Sequence, residues 1–220
     1  MSELNNNHTE LIYKIKINPF RIEHGIPKSD AKITQFSLNQ YVVVQIQKEI
    51  LLGKIISSSV QTLDECSVKC HILRPAKDEE VSRREFLTKR NAEIETFFSD
   101  LFKKFKLPAK VVYIDWDLNL QKVYCYLIAD QKINYLLLYE TAVDCLKLRV
   151  AIKQIGARDC ARGFGGIGSC GRELCCCTFL KKLQSITIRM VQKQTSYIEP
   201  EKLSGICGKL KCCLAFETKS

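Results

Sequence analysis

Histidine is scarce in this chain. There are three, His8, His24 and His71, in 220 residues, and none neighbours the cysteine-rich C-terminal part in sequence. A Cys–His nucleophile pair therefore has no support. No apolar run approaches the ~18 residues of a membrane span. The polar opening, residues 1–10, lacks the apolar stretch of a secretory signal. The cytosol is the expected compartment. There is no P-loop, no H-x-E joined to a P-C-x-x-C of zinc deaminases, and no C-x-x-C dithiol. Gly163 to Gly168 formally spells G-x-G-x-x-G, but a dinucleotide loop needs a strand just before it and an acid about 20 residues on. The preceding strand ends too early and position 188 is Ile.

What is abundant is cysteine, 12 residues, six of them in a repeated string. Cys170-Gly171-Arg172-Glu173-Leu174-Cys175-Cys176 returns as Cys207-Gly208-Lys209-Leu210-Lys211-Cys212-Cys213. In a reducing cytosol such thiols are expected to be free, metal-bound or redox-active, not a disulfide framework. Thiolates are preferred ligands of soft metals and iron–sulfur clusters. The six repeat cysteines are therefore the candidate ligands. The Cys-x4-Cys gap is not the common zinc-knuckle spacing, although zinc tolerates variation. Iron–sulfur cluster, structural zinc and a redox-active thiol pair all stay open on spacing alone. Cys160 and Cys177 are weaker candidates, and Cys66, Cys70, Cys125 and Cys145 read as buried small apolar residues. Eight of the ten glycines lie between Gly156 and Gly208, giving the backbone freedom that a loop around a metal or cluster requires.

Charge follows the cysteines. Residues 149–220 carry 13 Lys/Arg against 5 Asp/Glu, whereas residues 1–148 carry 21 against 19. This basic surplus would attract a polyanion such as RNA and favour nearby thiolates. Arg158, Arg162, Arg172, Lys209 and Lys211 are the candidate polyanion or partner contacts. Asp115 and Asp117, flanking Trp116, read as a solvated turn and not as a paired-carboxylate site.

The hydrophobic fraction of 46% allows a proper core. Alternation predicts strands over 11–17, 41–47, 51–56 and 68–73, with Gly53 marking a bulge or turn. Over 78–106 the period changes. Ile94, Phe97, Phe98, Leu101, Phe102 and Phe105 form one helical stripe, read as core packing, with acids at its start and lysines at its end. Strands over 110–117 and 121–129, a helix over 136–148 and a strand over 149–155 follow. With the strand at 68–73 in front, the order is β-α-β-β-α-β, the ferredoxin-like split βαβ pattern. The fold class is thus α+β in three parts: a β-rich N-terminal module over 1–66, a ferredoxin-like core over 67–155, and a Cys/Gly-rich metal- or cluster-binding region over 156–220. Residues 185–194, between the two repeats, have no clear structural signal.

Gln154-Ile155-Gly156-Ala157-Arg158-Asp159, then Gly165 to Cys176 and Lys202 to Leu214, resemble the bacterial RicT (YaaT) family, whose members carry the polymerase-suppressor-type C-terminal domain. The sequence departs from the family pattern at Cys160, Cys177, Lys209 and Lys211. The resemblance implies a non-catalytic cytosolic regulator that assembles with two small helical partners, RicA and RicF. It also implies a 4Fe-4S cluster and an influence on messenger-RNA processing by the endoribonuclease RNase Y. Cys170, Cys175, Cys176, Cys207, Cys212 and Cys213 stand at the family's cysteine positions. The alternative is a nucleic-acid-binding module with structural zinc.

Overall fold

The structure, a computed structural model, describes residues 9–28, 35–62, 68, 70–180, 185–194 and 200–217. It divides into two compact units, one of residues 1–127 with 133–153, the other of residues 128–132 with 154–220. It is α+β, with helices and strands both well represented.

The first unit opens with a closed barrel. Its strands are β1 (Thr9–Asn18), β2 (Arg21–Pro27), β3 (Tyr41–Ile46), β4 (Glu49–Thr62) and β5 (Cys70–Pro75), in the order β1-β2-β5-β3-β4. All pairings are antiparallel except β2 with β5. Ile15, Val42, Val44, Ile55, Cys70 and Ile72 have no measurable solvent exposure. Burial pushes the Cys70 thiol up to about 12, so it behaves as a small apolar residue. Two glycines admit the close packing. A Cβ at Gly53 would run into the Ile15 side chain, and one at Gly25 into the Cys70 sulfur. The bulge expected at Gly53 lies further along β4. Register against β1 shifts between Lys14 and Ile15, whose partners are Ser57 and Ile55, which leaves Ile56 as the extra residue.

Helix α1 (Asp78–Lys104) follows β5. Glu80 accepts from the Lys77 amide at 2.9 Å and binds Arg74 through both oxygens at 2.6 and 2.8 Å, which fixes the helix start. Ile94, Phe98, Leu101 and Phe102 of the aromatic stripe are buried. Strands β6 (Ala109–Trp116), β7 (Lys122–Ala129) and β8 (Arg149–Ile155) form a three-stranded sheet in chain order, with α2 (Leu136–Leu146) between β7 and β8.

The element order β-α-β-β-α-β runs as read from the sequence, but its first strand is not in this sheet. Both edges of β5 are taken, by β2 and by β3, so β5 has no free ladder to offer β6, β7 or β8. The sheet holds three strands, and β5 closes the barrel.

A buried polar network ties barrel, helix and sheet together within this unit. Asp115, 6% exposed, accepts from Asn18 Nδ2 at 2.7 Å and from the Trp116 amide at 3.0 Å. Asn18 Nδ2 also donates to the Tyr126 hydroxyl at 3.0 Å. Arg84 on α1 faces Asp115 at 3.4 Å and donates to the carbonyls of Ile17 at 2.5 Å and Leu52 at 3.1 Å. Asp115 is therefore a buried structural carboxylate and not part of a solvated turn. Asp117 does cap the turn, accepting from the amides of Gln121 and Lys122 at 2.8 and 3.0 Å.

The second unit contains α3 (Ala157–Phe164), α4 (Ile188–Gln192), α5 (Pro200–Leu203) and α6 (Cys213–Glu217). Helix α4 gives the 185–194 segment its structure, with Val191 fully buried. No described helix is long and apolar enough to cross a membrane.

Candidate metal centre

The sequence repeat is a structural repeat. In the first copy, Ile167 bridges to Glu173, the Gly168 amide donates to the Arg172 carbonyl at 2.8 Å, and the Gly171 amide donates to Gly168 at 2.9 Å. Leu174 donates to Gly166 and Cys177 to Leu174. In the second copy, Ser204 bridges to Leu210, Gly205 donates to Lys209 at 2.8 Å, and Gly208 donates to Gly205 at 2.9 Å. Lys211 donates to Leu203 and Leu214 to Lys211. Each of these bonds in one turn has its counterpart in the other. Gly171 and Gly208 hold φ of +76° and +71°, a conformation that disfavours any Cβ, which explains why both copies read Cys-Gly.

The turns face a common hollow of about 140 Å³. Its lining includes all six repeat cysteines: Cys170, Cys175 and Cys176 from one copy, Cys207, Cys212 and Cys213 from the other. Cys176 is buried, Cys170 is exposed, and the remaining four are half-buried. Burial, with the neighbouring Cys177 and Cys212 sulfurs, pushes the Cys176 thiol up to about 11. Burial also raises Cys212. Arg158 opposes that rise, while Cys207 and Cys213 add to it. Sulfurs of the two copies therefore sense one another across the hollow.

Helix α3 holds both turns. Arg158 Nη2 donates to the Leu210 carbonyl at 3.2 Å in the second turn, and the Cys177 thiol of the first turn donates to the Arg162 carbonyl at 3.5 Å. Phe179 and Phe216, each following its own Cys-Cys pair, meet edge to face with centroids 5.1 Å apart. This helix had no sequence expectation. Its signal was Gly156 in extended conformation before Ala157, with Asp159 in the first turn and Arg162 in the last.

Of the cationic candidates, Arg158 and Lys211 line the hollow. Arg162, Arg172 and Lys209 are exposed and lie outside its lining. Cys160 and Cys177 are also outside it. Cys125 is fully buried, as its strand context suggested, but Cys145 is exposed on α2 and corrects the expectation of burial. Cys66 lies outside the described residues. His24, expected in a loop, sits in β2, paired with Lys14.

Six thiols on one hollow, with two cations to offset thiolate charge, match the donor chemistry of a soft metal or an iron–sulfur cluster. Among the described residues, no three His, Cys, Asp or Glu side chains are grouped closely enough to hold a metal ion. Any metal entering here would displace thiol protons, Cys176 foremost.

Two family descriptions match the chain: the PSP1 C-terminal conserved region over residues 70–155, and the third domain of PSP1-like protein over residues 185–220. The second cysteine turn falls inside the latter span. A curated relative, Stage 0 sporulation protein YaaT of Bacillus subtilis (strain 168), is 30% identical over 213 residues, covering 94% of this chain and 70% of the relative. No solved structure matches.

Proposed function

The chain belongs to the PSP1 family, which it shares with YaaT, and from that premise we propose that it is a non-catalytic, cytoplasmic regulatory adaptor carrying an iron–sulfur cluster. The reading rests on one observation: all six cysteines of the doubled motif line the same hollow. Cys170, Cys175, Cys176, Cys207, Cys212 and Cys213 are the ligand set from which a 4Fe-4S cluster would draw. Once bound, such a cluster would supply sensitivity to iron supply and redox state. The chain's own contribution is a frame. Gly171 and Gly208 allow the tight turns, Arg158 and Lys211 offset thiolate charge, and α3 with the Phe179–Phe216 pair holds the two turns together.

In this reading the adaptor joins small helical partners of the RicA and RicF kind and adjusts messenger-RNA processing by an endoribonuclease. Purification without oxygen, followed by iron, sulfide and visible-absorption analysis, tests the cluster. Broad absorption in the visible range with matching iron and sulfide is expected. A colourless protein that takes up no iron on anaerobic reconstitution would refute it. Co-purification with the small partners from the native cell tests the assembly.

A second reading is favoured by Arg162, Arg172 and Lys209, which stand exposed in the same unit. It is a zinc-containing module that contacts RNA directly. Affinity for single-stranded RNA should then fall with salt, with a log–log slope of roughly −0.7 per phosphate neutralised. Stoichiometric zinc without iron would favour this reading over the cluster.

A further inference from the structure

The first unit holds a crevice of about 580 Å³ that the cysteine chemistry leaves unused. Small-molecule sites commonly span roughly 300–1,000 Å³. Its floor is apolar, with Val43, Leu52 and Leu87 each at most 6% exposed. The charged lining is Arg83, the Arg74–Glu80 pair, Arg84, which is turned to Asp115, and Asp117, whose carboxylate caps the Gln121 and Lys122 amides; Trp116 supplies the aromatic part.

The walls are fixed. The Trp116 indole N–H donates to Asn91 Oδ1 at 2.8 Å, and Arg90 lies over the ring at 5.9 Å. Trp116 lines the crevice, whereas Arg90 does not. The turn after Trp116 is pinned to the barrel by the Leu118 amide, which donates to the Ile50 carbonyl at 3.2 Å. Arg74 keeps 43% of its side chain exposed, but both nitrogens of its fork are bonded to Glu80, so its charge is matched. Arg83 is exposed and has no ion-pair partner among the described residues. The unpaired charge of Arg83 thus stands at the crevice beside Trp116 and an apolar floor.

We propose that this crevice binds a nucleotide, its phosphate at Arg83 and its base against Trp116. Arginine suits phosphate because its planar fork offers paired donors. An aromatic wall suits any base, since every base has a π-face. An aliphatic anion would use Arg83 and the floor but gain nothing from the indole. Two sources present this chemistry, a free nucleoside phosphate and the end of a single strand.

Trp116 is the sole tryptophan, so its emission in the full-length protein reports on the crevice directly. Titration with nucleoside monophosphates should change it saturably, while ribose 5-phosphate and the phosphate-free nucleoside should bind far more weakly. Arg83→Ala, at an exposed and unpaired position, should keep the fold and weaken binding about tenfold or more, as loss of a charged hydrogen bond does. Tighter binding by a short single-stranded oligonucleotide than by the monophosphate would assign the source to a strand; equal or weaker binding would assign it to the free nucleotide. Absence of any saturable response to either probe up to millimolar concentration would overturn the proposal. So would an Arg83→Ala protein that binds as well as the parent, or a nucleoside that binds as tightly as its monophosphate.

Discussion

Replacing Asp115 by Ala should cost the first unit about 3 kcal/mol, the lower end of what breaking a buried charge pair costs. The carboxylate is 6% exposed and receives the Asn18 side chain at 2.7 Å, the Trp116 amide at 3.0 Å and Arg84 at 3.4 Å. Its removal strands three donors unequally. Asn18 keeps the Tyr126 hydroxyl, and Arg84, with 30% of its side chain in solvent, keeps two backbone carbonyls. Only the Trp116 amide loses its side-chain acceptor outright. These retained partners are why the loss falls at the low end. With a urea slope of roughly 2–3 kcal/mol per molar, the midpoint should drop by about 1–1.5 M. Urea unfolding followed by far-UV circular dichroism and Trp116 emission measures it. Asp115→Asn, which still accepts from Asn18, should lose less than half as much. A midpoint for Asp115→Ala within about 0.3 M of the parent would refute the assignment of this network as the tie between barrel, helix and sheet.

Other outcomes follow from separate parts of the structure. Gly53→Ala forces a methyl group against Ile15 inside the barrel and should cost about 1–3 kcal/mol, read as a lowered thermal midpoint. Arg74 draws the Glu80 carboxyl down to about 2; burial alone would raise that of Glu49, but Lys122 at 2.5 Å and Arg21 outweigh it and bring it also to about 2. Both folded values lie below the ordinary carboxylate range, so their stabilisation is complete above about pH 4.5 and drains away towards pH 2. Urea midpoints against pH should show that decline, and it should flatten in the Glu49→Gln protein. In the anaerobically prepared protein, Cys176→Ser or Cys212→Ser should lower bound iron sharply, whereas Cys177→Ser, outside the hollow, should leave it unchanged.

Local signals were legible and long-range ones were not. The stripe from Ile94 to Phe105 identified α1 because a helical period needs only near neighbours, and the run 149–155 matched β8 to the residue. The placement of β5 was hidden. Its sequence states that it is a strand, but its partners β2 and β3 are set by barrel closure. Strand β2 itself went unread, since Arg21, Glu23 and His24 mask its alternation with charge. In the candidate site, the repeat pointed to all six cysteines, and the glycines announced the turns. What a linear reading lacked was α3, whose Arg158 reaches the second turn, and with it the reason that both copies address one hollow. Asp115 was misjudged because a carboxylate beside a turn is usually hydrated, and only the Asn18 and Arg84 partners, distant in sequence, keep this one dry.

Division of the thiols into matched trios has an arithmetical edge. Each turn brings three sulfurs to the hollow, one short of the four that iron–sulfur clusters commonly take, and Cys177, the spare beside the first trio, is directed at the Arg162 carbonyl instead. Neither half can complete a tetrad unaided. A ligand that drew four sulfurs from this hollow would therefore have to clasp both lobes at once, across the same gap that the Phe179–Phe216 rings and the Arg158 bond to Leu210 already bridge.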